Sequence, residues 1–230
     1  MADSPSALRM VLDVDPTLFA IVRLSLAVSL GATLLAALLG APIGALIAMT
    51  RFRGREALIV LLNALMGLPP VVVGLAVYLL LSRSGPLGSL GLLFTPQAMV
   101  MTQTVLVLPI IAALTRQTVE DLWIEYRDEL AAMNAGPWRR VAALLWDARY
   151  SLMTAVLAGF GRAAAEVGSI IIVGGNIDGF TRTMTTAIAL ETSKGNLSLA
   201  LGLGVILLGI VAAVNVLAWS VRRAGARYER

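Results

Sequence analysis

Two oppositely charged side chains interrupt an otherwise apolar stretch of the chain. Arg162 and Glu166 are four residues apart within 151–173, so on a helix they would share one face and could pair. A charge near the bilayer centre costs about 2.5 to 3.5 kcal/mol on insertion scales, so each should face protein or water. Three interpretations stay open: the pair fixes the surrounding helices, Arg162 adds positive potential that could attract an anion while Glu166 restrains it, or the pair breaks and re-forms as the protein changes conformation.

A second group of polar residues lies farther along the chain. The run 181–186 reads TRTMTT, and its hydroxyl and guanidinium groups are donors that suit an oxyanion. Helix capping and turn formation are the commoner use of such residues, and we favour that interpretation. If these polar groups do line a path for an anion, the candidate residues are Arg162, Glu166, Asn176, Thr181, Arg182 and Thr183.

Several kinds of chemistry are excluded by residues that the chain lacks. It contains no Cys and no His, so disulfides, thiolate chemistry, the commonest metal ligand and the usual general base are missing. We expect no metal site and no catalytic residue, because an intramembrane protease would need more than Glu166, the sole acid deep in an apolar segment. The only lysine is Lys194 and no G-x-x-x-x-G-K-[ST] occurs, so no Walker loop holds ATP phosphates here.

The elements that position these residues are predicted to be membrane helices. Of the 230 residues, 58% are hydrophobic and 14% charged, and the mean hydropathy is +0.86, which is rare for a water-soluble domain. A spanning helix needs about 20 apolar residues. The fold class is therefore an all-α membrane protein, a bundle of about five transmembrane helices. The predicted spans are 24–49, 58–81, 96–115, 151–173 and 197–221.

Prolines predict irregularities in three of these spans. Pro42 should kink the first span and Pro109 should bend the third. Pro69 and Pro70 lie near the middle of the second span, which predicts a broken or sharply bent helix there. Such a break is tolerated in a membrane only where it faces protein or a water-filled path.

The distribution of basic residues predicts the orientation of the chain. Arginines cluster after the first, third and fifth spans and are sparse in the alternate loops. Cytoplasmic loops are enriched in Lys and Arg, so we expect a multi-pass protein of a bacterial or archaeal cytoplasmic membrane, with its N-terminus outside and its C-terminus in the cytoplasm. Residues 1–16 carry three Asp and one Arg, the reverse of the basic start of a signal peptide, so the helix from Leu18 should be retained.

The segment 120–147, between the third and fourth spans, is densely charged and should lie outside the hydrocarbon. It is predicted to form an amphipathic helix that ends near Asn134, then a short helix over 138–145 preceded by Pro137, a residue suited to a first helical position. Such a helix pair could be gripped by a soluble partner, or could simply pack on its own bundle. The apolar stripe has helical spacing and consists of Leu122, Tyr126, Leu130 and Met133.

The sequence around this turn resembles a known family. The run DELAAMNAGP at 128–137 is similar to the cytoplasmic loop of ABC importer permeases, which docks into a cleft on the ATPase subunit and transmits its closure to the membrane helices. Asn134 replaces the usual glycine, and asparagine is the next best residue for a left-handed turn. The resemblance assigns ATPase coupling to Asp128, Glu129, Leu130, Ala131, Ala132, Asn134, Gly136 and Pro137.

Further motifs narrow this resemblance. In order along the chain they read LPPVVVG, SRSGPLG, GFGRA, EVG, GGNI and TRTMTTAIALETSKG, at 68–74, 82–88, 159–163, 166–168, 174–177 and 181–195. Together they are similar to the tungstate permeases, which are related to the molybdate and sulfate permeases. The resemblance implies that 1–230 is a single ABC importer transmembrane domain with 120–147 as its coupling loop.

The family implies a set of partners and a substrate. The permease would form a homodimer in the lipid bilayer, with ABC ATPase subunits on the cytoplasmic face and an extracytoplasmic binding protein, and without nucleic acid. ATP and Mg²⁺ would bind to the ATPase subunit, and this chain would bind no cofactor and be no enzyme. Tungstate is the implied substrate, with molybdate or sulfate as the nearest alternative. A secondary ion-coupled transporter using Glu166 is a distant alternative, and it gives the charged segment no role.

Overall fold

The computed structural model describes residues 16–228 of the chain. Within that range the chain forms nine α-helices and one 3-10 helix, Gly88–Leu90, and no β-strand, so the predicted all-α class is confirmed. The acidic residues of 1–15 and Arg230, which entered the orientation prediction, lie outside the described residues. The α-helices are Pro16–Met49 (α1), Arg55–Met66 (α2), Pro70–Leu81 (α3), Pro96–Ala132 (α4), Pro137–Asp147 (α5), Arg149–Ala164 (α6), Gly168–Gly174 (α7), Met184–Ser193 (α8) and Leu197–Tyr228 (α9).

Three of these helices are long and apolar enough to cross a membrane, namely α1, α4 and the part Leu197–Ser220 of α9. Two bent pairs, α2 with α3 and α5 with α6, raise the number to as many as five if each pair is one span. The predicted count of about five is the upper limit of this range. At about 1.5 Å per residue, the 34 residues of α1 extend well beyond a hydrocarbon core of about 30 Å.

The second span is broken where its prolines predict. α2 and α3 meet at 99°, with Gly67 after the last residue of α2 and Pro70 as the first residue of α3. The helical backbone conformation is disfavoured for a residue that precedes a proline. This restriction accounts for the break. Pro42 and Pro109 instead lie inside the continuous helices α1 and α4, so neither proline ends its helix.

The helix bounds differ from the prediction in the fourth span and after the third. The fourth span, 151–173, is not one helix, because α6 ends at Ala164 and α7 starts at Gly168; the non-helical Val167 (φ −121°, ψ −55°) lies between them. The third span, 96–115, and the predicted amphipathic helix lie on one helix, because α4 continues to Ala132. The two predicted segments form a single helix because no glycine or proline interrupts the chain between them.

Contacts group the chain into two compact units. Unit 1 takes in Met1–Ala32, Pro69–Gln103 and Gly161–Val216, of which the described part starts at residue 16. Its fully buried side chains include Met99 and Ile170. In this unit α3 packs closely on α7.

Unit 2 takes in Thr33–Leu68, Thr104–Phe160 and the described part of Leu217–Arg230. Its fully buried side chains include Ile111 and Leu144. Here α1 packs closely on α4, since a Cβ atom added to Gly40 would lie 3.0 Å from the Leu108 carbonyl oxygen.

Candidate functional site

The segment similar to the coupling loop forms a helix, a tight turn and a second helix. Asn134 has a φ of 49°, in the left-handed region. Its N–H donates to the Ala131 carbonyl at 3.0 Å, and the Ala135 N–H donates to the Leu130 carbonyl at 3.1 Å. These two bonds define a Schellman motif, which satisfies the last carbonyl groups of the helix. The prediction that asparagine supports a left-handed turn here is confirmed.

The second helix, α5, starts directly after this turn. Gly136 is extended (φ −68°, ψ 163°) and precedes Pro137 at the first helical position, where the missing N–H costs no hydrogen bond. Arg140 Nε donates to the Ala135 carbonyl at 2.7 Å. The same guanidinium lies over the Trp123 ring, 5.8 Å from its centroid. The turn is therefore held by side chains from both helices.

The inner face of this helix pair packs on a small apolar core. Three members of the predicted stripe, Leu122, Tyr126 and Leu130, pack against that core. The prediction is wrong for the fourth member, Met133, which is 77% exposed because α4 ends one residue earlier, at Ala132. The buried residues of the core are Ala45, Ala48, Val119, Val141 and Leu144.

The outer face of the helix pair is exposed. Its large apolar side chains include Met133 and Trp138, which are 77% and 69% exposed. Exposed apolar groups beside acidic ones are typical of surfaces that bind another protein. Of the predicted coupling residues, only Leu130 is partly buried. The exposed ones are Asp128, Glu129, Ala131, Ala132, Asn134, Gly136 and Pro137.

An ion-pair network in unit 2 ties α2 to this charged helix. Arg55 Nη2 donates to Glu120 Oε1 at 2.5 Å, and Arg55 Nε donates to the Ile47 carbonyl at 3.0 Å. Arg116 Nη1 donates to the other carboxylate oxygen of Glu120. Both arginine side chains are largely buried, 17% and 11% exposed, so this network joins α1, α2 and α4.

The predicted pair between Arg162 and Glu166 exists, although not on one helix. Arg162 Nη1 lies 2.7 Å from Glu166 Oε2, and the Glu166 side chain is 4% exposed. Because α6 ends at Ala164, Glu166 lies in the break before α7. Its second oxygen, Oε1, accepts the Ser169 N–H at 3.0 Å, so one carboxylate balances the arginine and also caps α7. Thr185 Oγ1 donates to the Glu166 carbonyl at 2.8 Å.

The threonines before and within α8 hold their own backbone. Thr183 caps α8 through a reciprocal capping box with Thr186. The Thr181 hydroxyl donates to the Gly174 carbonyl at 2.5 Å and accepts the Ile177 N–H at 2.9 Å. The preference for capping and turn formation is therefore supported for both predicted path residues, Thr181 and Thr183.

The other two predicted path residues lie in the same loop. Asn176 has a φ of 50°, and its Oδ1 atom is buried without a hydrogen-bond partner among the described residues. Arg182 Nη1 donates to Asp178 Oδ1 at 2.8 Å.

Arg182 also lines a cavity of about 660 Å³ in unit 1. Arg23, on the first turns of α1, lines the same cavity together with Thr17 and Phe180. Arg23 is exposed and makes no hydrogen bond or ion pair among the described residues. Arg23 is not among the predicted path residues, because the uninterrupted apolar run of the first span starts at Leu24; the signal for it is a single cation at the start of a span.

The far end of α8 is fixed by a third acidic side chain. Glu191 accepts from Lys194 Nζ at 2.8 Å and from Asn196 Nδ2 at 3.1 Å. The hydrogen bond from Lys194 lowers the pKa of the Glu191 carboxyl below its ordinary value. The carboxylate therefore stays charged and closes the turn between α8 and α9.

Four of the six predicted path residues fall into two groups. Arg162, Glu166 and Thr183 belong to one hydrogen-bonded set, since Thr185 bonds the Glu166 carbonyl and lies 3.2 Å from the Thr183 hydroxyl. Arg182 belongs with Arg23 at the cavity. Whether either group contacts an anion stays a prediction.

These features define a multi-pass membrane protein that presents a rigid, exposed helix pair, and comparisons with known proteins specify the class. The chain is 46% identical over 207 residues to the probable anion ABC transporter permease protein of Haloferax volcanii, covering 87% of this chain and 88% of that protein. It is 36% identical over 217 residues to the tungstate uptake system permease protein TupB of Peptoclostridium acidaminophilum, covering 94% and 95%. It is also 36% identical over 172 residues to TupB of Campylobacter jejuni, covering 75% and 72%.

No protein-family model matches the chain. The chain belongs to the ABC transporter permeases, as its relatives over most of its length show. It is therefore a permease subunit and not itself an enzyme, and the predicted resemblance is confirmed.

Proposed function

We propose that this chain is the membrane-spanning subunit of an ATP-driven importer for tungstate. The observation that carries the proposal is the similarity, over 94% of the chain, to a tungstate uptake permease. The absence of a Walker motif requires that ATP and Mg²⁺ bind to a partner subunit. The substrate is a tetrahedral dianion, and molybdate has almost the same size and charge.

The helix pair around Asn134 is the part that couples to the ATPase. Its inner face is anchored on a core shared with α1, and its outer face exposes Asp128, Glu129 and two large apolar side chains. A push on the outer face would pass into α4, because the turn follows directly after the last residue of that helix, Ala132. The segment 120–147 thereby acts as the coupling loop of a single transmembrane domain, 1–230.

The cavity beside Arg23 and Arg182 is where we place the entering anion. Two guanidinium groups suit an oxyanion, and the exposed Arg23 has no competing partner among the described residues. The site should bind weakly, because an anion held tightly would not leave. The binding protein on the outer face delivers the anion, and ATPase subunits bind on the cytoplasmic face. Two copies of the chain form the permease, with N-termini outside.

The test is uptake of labelled tungstate by vesicles that contain this chain with its ATPase and binding protein. Molybdate and sulfate serve as competitors. The variant Asp128→Lys/Glu129→Lys should abolish ATP-dependent uptake. The matched control is Asp121→Lys/Glu125→Lys, which makes the same charge change at two exposed positions of the same helix and should transport.

The result separates the possible transporters. Uptake supports tungstate import if it needs ATP and persists in about tenfold excess of molybdate, a modest discrimination between two similar substrates. Equal competition by molybdate identifies a general oxyanion permease. Uptake by the chain alone along an ion gradient contradicts the proposal.

A further inference from the structure

A second cavity, of about 430 Å³, lies in unit 2 where α1 ends and α2 begins. Its lining contains three arginines and one acid: Arg51, Arg55, Arg127 and Glu120. Trp123 supplies an aromatic wall and Met49 an apolar edge. The lining therefore combines a cluster of positive charges with one aromatic and one apolar side chain.

The acid in this cavity is already neutralised. Each carboxylate oxygen of Glu120 accepts from a different arginine, Oε1 from Arg55 and Oε2 from Arg116. Arg55 is further fixed by the Ile47 carbonyl. Glu120 consequently positions Arg55 and does not cancel the charge of the other two arginines.

Those other two arginines are free to bind an anion. Arg51 is exposed and makes no hydrogen bond or ion pair among the described residues. Arg127 has only a 3.5 Å contact with Asp128, whose side chain is 89% exposed. Such exposed pairs contribute little, about 0 to 1 kcal/mol, so Arg127 can exchange that partner for a better one.

The residues around the cavity have the composition of a membrane surface. α1 is apolar up to Met49, and the chain then turns directly into the basic run that contains Arg51 and Arg53. Phe52 and Ile124 beside it are 46% and 67% exposed. Apolar exposed side chains, a tryptophan and arginines in one place are typical of the level of the lipid headgroups.

We propose that this cavity binds the phosphate of an anionic phospholipid headgroup. Arg51 and Arg127 would hold the phosphate oxygens through charge-assisted hydrogen bonds, while Arg55 stays in its ion pairs with Glu56 and Glu120. The acyl chains would leave the cavity past Phe52 and Ile124. Basic pockets next to membrane helices bind anionic headgroups by this chemistry. A bound lipid would connect the end of α1 with α4, close to the turn at Asn134.

The test titrates lipid onto the delipidated full-length chain in detergent and counts bound lipid by native mass spectrometry. Dioleoyl phosphatidylglycerol and dioleoyl phosphatidylcholine share their acyl chains and differ in headgroup charge. Arg51→Gln removes a proposed ligand. Arg53→Gln is the matched control, because it removes the same charge two residues away, outside the cavity lining.

We expect Arg51→Gln to weaken the first phosphatidylglycerol site about tenfold or more, the effect of one charge-assisted hydrogen bond, and Arg53→Gln to leave it unchanged. Phosphatidylcholine should show no difference between the variants. Arg127→Gln should repeat the loss, and it serves as the second test if Arg51→Gln does not fold.

Three outcomes would overturn the proposal. Equal losses in Arg51→Gln and Arg53→Gln would show diffuse surface attraction without a site. Equal binding of the two lipids would show that charge is irrelevant. Displacement of the lipid by millimolar glycerol phosphate or tungstate would assign the cavity to a soluble anion. The measurement contains no ATPase and no transport step, so it stands apart from the test of tungstate import.

Discussion

The Glu166 side chain joins two helices of unit 1, α6 and α7. It balances Arg162 with one oxygen and caps α7 with the other, while its carbonyl accepts the Thr185 hydroxyl. A buried ion pair need not stabilise a fold, yet removing one partner is costly because the other charge is left uncompensated. Its structural role explains the charge in the apolar segment without requiring contact with substrate.

Glu166→Gln should therefore destabilise the protein more than the double variant Arg162→Met/Glu166→Gln. Breaking such a pair costs about 3 to 5 kcal/mol in a buried setting, and we expect less here because Arg162 is 28% exposed. Thermal unfolding of the two variants and of Arg162→Met completes a double-mutant cycle. An additive cycle would show that the pair contributes no coupling.

Arg23 is the residue whose role the cavity suggests most directly. Arg23→Gln should lower the rate of tungstate uptake severalfold, in line with one lost charge-assisted contact, without changing ATP hydrolysis in the absence of substrate. Arg83→Gln, an exposed arginine outside the cavity lining, is the control. Unchanged uptake by Arg23→Gln at low ionic strength would exclude the cavity from the path.

At the scale of elements, the Schellman turn decides how α5 is presented. Asn134→Gly should retain both fold and coupling, because glycine adopts a left-handed conformation without strain. Asn134→Val should reduce stability by about 1 to 2 kcal/mol and reduce ATP-dependent uptake. Melting temperature and uptake measured on both variants test this expectation; equal behaviour of Gly and Val would show that the turn can form in another way.

Close approach between α3 and α7 depends on one glycine. A Cβ atom at Gly74 would lie 2.8 Å from Ser169 Cα, a backbone atom that cannot move without shifting α7 and the Glu166 cap. Gly74→Ala should destabilise the protein by about 1 to 3 kcal/mol through overpacking. Gly204→Ala, whose Cβ would meet nothing within 4 Å, is the control and should be neutral or stabilising. Equal melting temperatures would contradict the packing argument.

At the scale of the whole molecule, the open question is which side each loop faces. The chain has no Cys, so single cysteines can be labelled without background. With a membrane-impermeant maleimide, Ser84→Cys should react in intact cells, and Met133→Cys should react only after permeabilisation. Both positions are exposed. The reverse labelling pattern would show that the orientation is opposite to the proposed one. The exposed helix pair around Asn134 would then lie on the side of the membrane away from the ATPase.

Much of the fold follows from local properties of the chain. Apolar runs of sufficient length specify membrane helices, Pro70 specifies the break in the second span, and the Gly136–Pro137 pair specifies the start of α5. Asn134 at the turn was predictable because few residues tolerate a left-handed backbone. Each of these features depends on residues that are close together in the sequence, so it can be predicted from the sequence alone.

Other features were decided only by tertiary contacts. The break at 165–167 has no proline, and it persists because Glu166 finds Arg162, Ser169 and Thr185 as partners in the folded chain. Arg23 and Arg182 are 159 residues apart in the chain and meet only at a cavity wall. The cavity in unit 2 likewise brings together Arg51, Arg55 and Arg127. Arg53 lies between two of these residues in the sequence but does not line the cavity. Local pattern determines which helices form; which side chains face each other depends on packing between segments distant in the chain, which no local pattern encodes.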